Sequence, residues 1–272
     1  MQANSIRSIA IFNSFRNNIQ NNMNTASQRL ASGKRINSAA DDAAGLGISQ
    51  ALEAQIRGLN QATRNALAFD SALNTADGGL SSIGSSLLRI RDLALQASND
   101  TLTSENRSAI QAEIDQQLNH ISKVTTNTEF NRINLLDGSF TNMNAQVGPN
   151  AGQNLSISIQ GTNLAGLGIA GFSVMGGPKN IDIDAIDKAI NMVLSQRGSI
   201  GAVQNRIEHI VEQNNTAAIN MAAAKSRIAD ADIALETMRL NQARILQQLQ
   251  NFTLKNQMER TRASLGFVGI AM

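Results

Sequence analysis

Apolar residues in this chain fall into long, narrow stripes separated by polar residues, except in the middle of the sequence. The first stripe is Phe12, Phe15, Ile19, Met23, Ala26 and Leu30, with steps of 3, 4, 4, 3 and 4. That spacing places all six on one face of an α-helix. Gly33 ends the helix in the manner of a C-cap, with Lys34 and Arg35 just beyond. A second stripe runs through Leu52, Ile56, Leu59, Ala66, Leu73, Leu80, Leu87 and Ala94, and from Leu59 onward it keeps a strict period of seven. A seven-residue period is the signature of coiled-coil packing. A helix from Ala43 to Ala97 would span roughly 80 Å at the α-helical rise, with Gly78 and Gly79 as a local weak point.

"SNDTLTSENRS" reads as a turn and a new helix start, with Thr103 or Ser104 as N-cap. Ile110, Ile114, Leu118, Ile121 and Val124 then make a shorter amphipathic helix, broken by "NTEFNRINLLDGSF", which ends in a hairpin-type Asp-Gly turn. Leu155, Ile157 and Ile159 alternate with polar residues as in a half-buried strand, and "AQVG" upstream is its partner. The last stripe is the longest. Ile186, Ile190, Val193, Ile200, Ile207, Asn214, Met221, Ile228, Leu235, Gln242 and Leu249 carry the seven-residue period. Ala217, Ala224, Ala231, Met238, Ile245 and Phe252 interleave with them. Such a seam needs a partner of equal length, which the N-terminal stripes supply.

The expected fold is therefore mainly α: a long antiparallel, coiled-coil-like bundle with paired N- and C-termini and a small β-hairpin region at about 138–177. Both prolines, Pro149 and Pro178, and nine of the twenty glycines lie in or beside that middle segment, which agrees with a looped or β-rich centre. The terminal stripes are too narrow to make a core alone, so these helices should fray unless other chains cover them.

Composition narrows the function. Only 3% of residues are aromatic, with no Trp or Tyr, a mix that suits helices packed side by side. The absence of cysteine excludes disulfides, cysteine-ligated metals and thiol nucleophiles. A net charge of +2 with scattered basic residues is a poor fit to nucleic acid. No apolar run approaches the length of a membrane span, and "IAIF" is too short for a secretory signal. Asp41 and Asp42 are adjacent, so on a helix they diverge by about 100° and cannot share a proton. They read instead as charge complements to the helix near Ala43, with Ser38 or Asp41 as cap. "SGKR" lacks the glycine spacing and the hydroxyl residue of a phosphate loop. His120 and His209 have no second histidine at zinc-binding spacing. No catalytic, cofactor or metal site is expected.

With chemistry largely absent, the order of short motifs becomes the informative feature. "RLASGKRINSAADDAAGLGIS", "QIRGLNQATRNA", "TADGGLSSI", "LLRIRDLALQASN", "IQAEIDQQLNHI", "TEFNRINLLDG", "QVGPNAGQNLSISI", "SQRGSIGAVQNRIEH" and "AKSRIADADIALE" follow one another between Leu30 and Glu236. In order and spacing they resemble bacterial flagellin, the subunit of the flagellar filament, in a minimal form with core layers only. The resemblance implies that residues 1–42 and 231–272 form an inner core of terminal helices, and residues 43–230 an outer core. Subunit packing would fall to Phe12, Phe15, Ile19, Met23 and Leu30 on one helix, and to Leu235, Met238, Ile245, Leu249 and Phe252 on the other. Gly33, Lys34, Arg35, Asn37, Asp41 and Asp42 would form a spoke between the two layers. Arg89, Leu93 and Glu113 match the family's contact positions for an animal Toll-like receptor, on surfaces that would also pack subunit against subunit.

The implied partners are further copies of the chain, a flagellar export chaperone, the filament cap and the hook–filament junction proteins. The implied location is extracellular, in the flagellum, reached by type III export without a cleaved signal peptide. The alternatives are the junction adaptor, a minor flagellin, or an enzyme or carbohydrate-binding module on the same scaffold. Both tips differ from the usual family pattern: the chain opens "MQANSIRSIAIF" and closes "ERTRASLGFVGIAM". That difference bears on whether the chain is a major or minor subunit.

Overall fold

The computed structural model describes residues 2–268, and the side-chain surroundings of 12–259. The elements are α1 (Gln2–Ser32), α2 (Ala43–Ala97), α3 (Ser104–Asn127), β1 (Glu129–Phe130), β2 (Ile133–Asn134), β3 (Met143–Gln146), β4 (Asn154–Ile157), a 3-10 turn (Pro178–Asn180), α4 (Ile183–Ala229) and α5 (Ile233–Val268). They group into two compact units, residues 1–54 with 220–272, and residues 55–219. The fold is mainly helical, as the periodicities require, with two small antiparallel hairpins where the sequence suggested one.

The larger unit is built on the seven-residue stripe of α2. Ala66, Leu73, Leu80, Leu87 and Ala94 are fully enclosed, with Ile83, Ile90 and Leu93 between their turns. Onto them pack Ile110, Ile114, Leu118 and Ile121 of α3, and Ile186, Val193, Ile200 and Ile207 of α4. Ion pairs at the margin fix the antiparallel registers. Arg197 meets Asp77 at 2.7 Å and Arg91 meets Asp187 at 2.6 Å between α4 and α2. Arg89 Nε donates to Glu113 at 2.7 Å between α2 and α3. Asn214, a polar residue in an apolar heptad position, is buried because its amide donates to the Val147 carbonyl at 2.9 Å.

Gly78 and Gly79 do not interrupt α2. A Cβ at Gly79 would lie 2.7 Å from Leu136 Cδ1 and 2.8 Å from Thr128 Oγ1. The glycine admits the segment after α3, which closes over the helices. The N-cap of α3 is Thr103, whose hydroxyl accepts from Asn106 N–H at 3.3 Å.

The segment read from sequence as a helix break followed by an Asp-Gly turn contains its own hairpin. β1 and β2 pair across Asn131 and Arg132, both in the left-handed region with φ of 50° and 66°. Two such residues in succession are what a tight hairpin turn demands. Asp137 makes no strand turn. Its carboxylate accepts from the Ser139 N–H and hydroxyl at 2.8 and 2.6 Å. The second hairpin, β3 with β4, pairs Ala145 with Leu155 and Met143 with Ile157. Leu155 and Ile157 alternate inward, and Ile159 N–H extends the contact to Phe140 O at 2.9 Å. Phe140 stacks on Phe69 of α2 with ring centroids 6.4 Å apart.

In the other unit α1 and α5 run antiparallel: Arg29 meets Glu236 at 3.2 Å, and Gln247 meets Gln20 at 3.4 Å. The long C-terminal stripe keeps its seven-residue period across a break between α4 and α5. Asp232 causes the cut and starts the new helix: Leu235 N–H donates to its carboxylate at 3.1 Å, and Glu236 N–H to its carbonyl at 2.9 Å. The Lys225 ammonium pairs with the Glu53 carboxylate, tying the last turns of α4 to the first turns of α2.

Candidate functional site

Two features of the terminal unit stand out: a bonded connection between helices, and an apolar stripe left exposed among the described residues.

The connection is residues 33–42. Gly33 ends α1 with φ of +67°, a conformation that costs a residue with a Cβ. The chain then lies antiparallel to the break between α4 and α5. Ala231 N–H donates to Gly33 O at 2.9 Å, and Arg35 N–H to Ala229 O at 2.7 Å, around a bridge between Lys34 and Asp230. The Arg35 guanidinium donates to Ile228 O at 2.7 Å, where a cation complements the negative end of α4. Ile36 is buried beneath. The two helix breaks thus satisfy each other's backbone groups.

The adjacent aspartates divide the remaining work, and the division differs from the sequence reading. The cap of α2 is Asp42, whose Oδ1 accepts from Gly45 N–H at 2.8 Å. Neither Ser38 nor Asp41 caps it. Asp41 Oδ2 reaches backward, accepting from Ser38 N–H at 2.9 Å, Ser38 Oγ at 3.0 Å and Asn37 N–H at 3.1 Å. The Ser38 backbone N–H, then the Ser38 hydroxyl and the Asn37 N–H, hold the Asp41 carboxyl below its ordinary range. The Asn37 amide closes the loop onto Lys34 O at 3.1 Å. What the sequence did not reveal is the partner: "ADAD" at 229–232, a helix cap hidden inside an apparently continuous heptad.

The stripe lies on α5. The side that meets α1 carries Glu236, Leu240, Ala243 and Gln250, all buried. Glu236 Oε1 accepts from Arg29 at 3.2 Å and Arg239 at 2.8 Å. Leu235, Met238, Ile245, Leu249 and Phe252 fall about 150° around the helix from that side at 100° per residue. They are 40%, 62%, 57%, 55% and 62% exposed. The expectation that this seam packs on α1 within one chain is therefore corrected. The helix is apolar on two sides, and its own α1 takes the more polar one. On α1, Ile19 and Ala26 are buried, Phe12, Met23 and Leu30 half-buried, and Phe15 exposed.

Arg89 is exposed, Glu113 half-buried, and the two are bonded to each other, but Leu93 is not beside them at the surface. It is buried in the α2 core, 2% exposed, because it falls on the inward face with Ile90 and Leu87.

A family profile described as the bacterial flagellin N-terminal helical region matches residues 4–141, and one for the bacterial flagellin C-terminal helical region matches residues 183–265. A flagellin of Halalkalibacterium halodurans is 37% identical over 243 residues, covering 88% of this chain and 89% of that one. The flagellar filament 33 kDa core protein of Treponema phagedenis is 33% identical over 270 residues, 92% of each chain. Among solved structures, the crystal structure of Bacillus cereus flagellin aligns with a TM-score of 0.51 at 28% identity, covering 60% of this chain and 94% of that one. A putative flagellar hook-associated protein from Vibrio parahaemolyticus shares the fold, with a TM-score of 0.58 at 18% identity over 70% of this chain and all of that one. The identities favour a filament subunit over the junction adaptor. The chain belongs to the bacterial flagellin family, the subunits of the flagellar filament.

Proposed function

We propose that this flagellin polymerises through the outward stripe of α5 and the exposed part of α1, without catalysing a reaction. The observation that carries the reading is the second apolar side of α5. Five large apolar side chains at heptad spacing remain exposed although the helix already has a partner. A helix apolar on two sides needs two neighbours, and in a homopolymer the second neighbour is another copy of the chain. Residues 1–42 with 231–272 then form the inner layer, residues 43–230 the outer layer, and residues 33–42 the spoke, with Gly33, Lys34, Arg35, Asn37, Asp41 and Asp42 as its fixed points. The assembled product serves swimming motility outside the cell. The subunit reaches it through the organelle's own export channel and meets the export chaperone, filament cap and junction proteins on the way.

The experiment is seeded growth. Purified subunit is added to short fragments of its own filament and viewed by negative-stain electron microscopy. Long uniform filaments are the expected result, and folded subunit that never extends the seeds would refute the reading. Recognition by an animal Toll-like receptor narrows to Arg89 and Glu113, since Leu93 is enclosed. Undiminished reporter signalling by Arg89→Ala with Glu113→Ala would end that part of the proposal.

A further inference from the structure

Three methionines among the described residues are exposed: Met175 at 50%, Met238 at 62% and Met258 at 54%. Their settings differ. Met175 lies between β4 and the 3-10 turn. Met258 lies six residues after Phe252, about 120° from it around α5 and so off the outward stripe. Met238 alone sits in the outward stripe, three residues after Leu235 and seven before Ile245. Neither acid nor base occupies that stripe from Leu235 to Phe252; its one polar member is Gln242.

We propose that Met238 is an oxidation site that gates polymerisation, an inference that rests on the filament reading above. A peroxide delivers one oxygen to the Met238 sulfur. The O–O bond breaks and an S–O bond forms. The sulfur loses two electrons, and the peroxide leaves as water after proton transfer. Exposure and thioether chemistry make the free subunit open to this reaction. The product carries a strong hydrogen-bond acceptor in place of an apolar, flexible side chain. In the free subunit that acceptor faces water and costs nothing. In a polymer the stripe is covered: Leu235, one turn before Met238, offers the sulfoxide no donor, and Gln242, one turn after, would have to give up its own partner or water to bond it. Oxidation therefore leaves folding intact and opposes assembly. Once assembled, the same burial shields the sulfur, so the gate acts on subunits and not on finished filament.

The test compares untreated and hydrogen-peroxide-treated subunit, quenched with catalase, in seeded growth, with sulfoxide occupancy read by peptide mass spectrometry. Oxidised wild type is expected to need about a tenfold higher critical concentration, equivalent to about 1.4 kcal/mol per added subunit. Methionine sulfoxide reductases should restore growth. Met238→Leu conserves side-chain volume; with Met175 and Met258 oxidised it should extend seeds as it does untreated. Intact wild-type filaments under the same treatment should oxidise at Met175 well before Met238. Oxidised wild type growing at an unchanged critical concentration would overturn the proposal, as would oxidised Met238→Leu being impaired as much. Equal oxidation of Met238 and Met175 in filaments would overturn it too. Failure of untreated wild type to extend seeds would instead remove the filament reading, and this inference with it.

Discussion

Two glycines in the first turns of α2, Gly45 and Gly47, should respond in opposite directions to the same change. Replacing glycine by alanine inside a helix normally gains about 1 kcal/mol through backbone entropy. Gly47 is exposed, with nothing within 4 Å of an added Cβ, so Gly47→Ala should gain most of that. Gly45 is buried, and its Cβ would lie 2.7 Å from Ile36 Cδ1 and closer still to the Asp42 carboxylate. Either Asp42 yields, losing a helix cap worth about 1 kcal/mol, or buried Ile36 is displaced, at an overpacking cost of about 1–3 kcal/mol. If both yield, the loss of about 2–4 kcal/mol exceeds the propensity gain. Gly45→Ala should then destabilise the terminal unit by about 1–3 kcal/mol. Native-state hydrogen exchange at the amides of 33–46 reads the effect in that unit, alongside urea denaturation followed by circular dichroism. Equal shifts for the two variants, or a stabilised Gly45→Ala, would refute the close packing of cap, spoke and helix start.

Other outcomes follow from the same geometry. Glu236→Ala leaves two arginines without their shared, enclosed carboxylate, and should loosen the α1–α5 pair by about 2–3 kcal/mol, read by exchange of α5 amides. The Asp41 carboxyl is held below its ordinary range by Ser38 and Asn37, so its stabilising contribution is present above the ordinary carboxylate range and lost as pH falls through the lowered value. Protection of the Asn37 and Ser38 amides, taken relative to their intrinsic exchange rate at each pH, should fall on acidification in wild type, and should be low and flat with pH in Asp41→Ala. Leu249→Ala removes a side chain already 55% exposed in the subunit, so thermal stability should change by under about 0.5 kcal/mol. Burial of the remaining surface on assembly is worth about 1 kcal/mol, so its critical concentration should rise by about fivefold.

The helices were legible because heptad periodicity survives any context: Leu73, Leu80 and Leu87 have to share a face, and they form the centre of a core. Periodicity alone did not assign that face a partner. On α5 the better apolar stripe looked like the one that should meet α1, yet Glu236, Leu240 and Ala243 meet it instead. A seam says that a face will be covered without saying by what. The break at Asp232 was hidden for a related reason, since Ile228 and Leu235 keep their seven-residue spacing across it. Its signal was an aspartate placed to cap, visible only once the broken backbone is seen to bond Gly33 and Arg35. The turn at Asn131 and Arg132 escaped notice because arginine is a poor advertisement for left-handed backbone. Leu93, matched by motif alone, carries no sign in the sequence that its neighbours in the fold enclose it.

The central claim is that the outward stripe of α5 becomes buried between copies. The chain has no cysteine, so Ile245→Cys introduces a single reporter whose maleimide labelling rate can be compared in free subunit and in seeded filament. The account predicts fast labelling of the subunit and a rate at least about a hundredfold slower in the filament, consistent with full enclosure of a side chain of this size. Filaments that label as fast as the free subunit would contradict it.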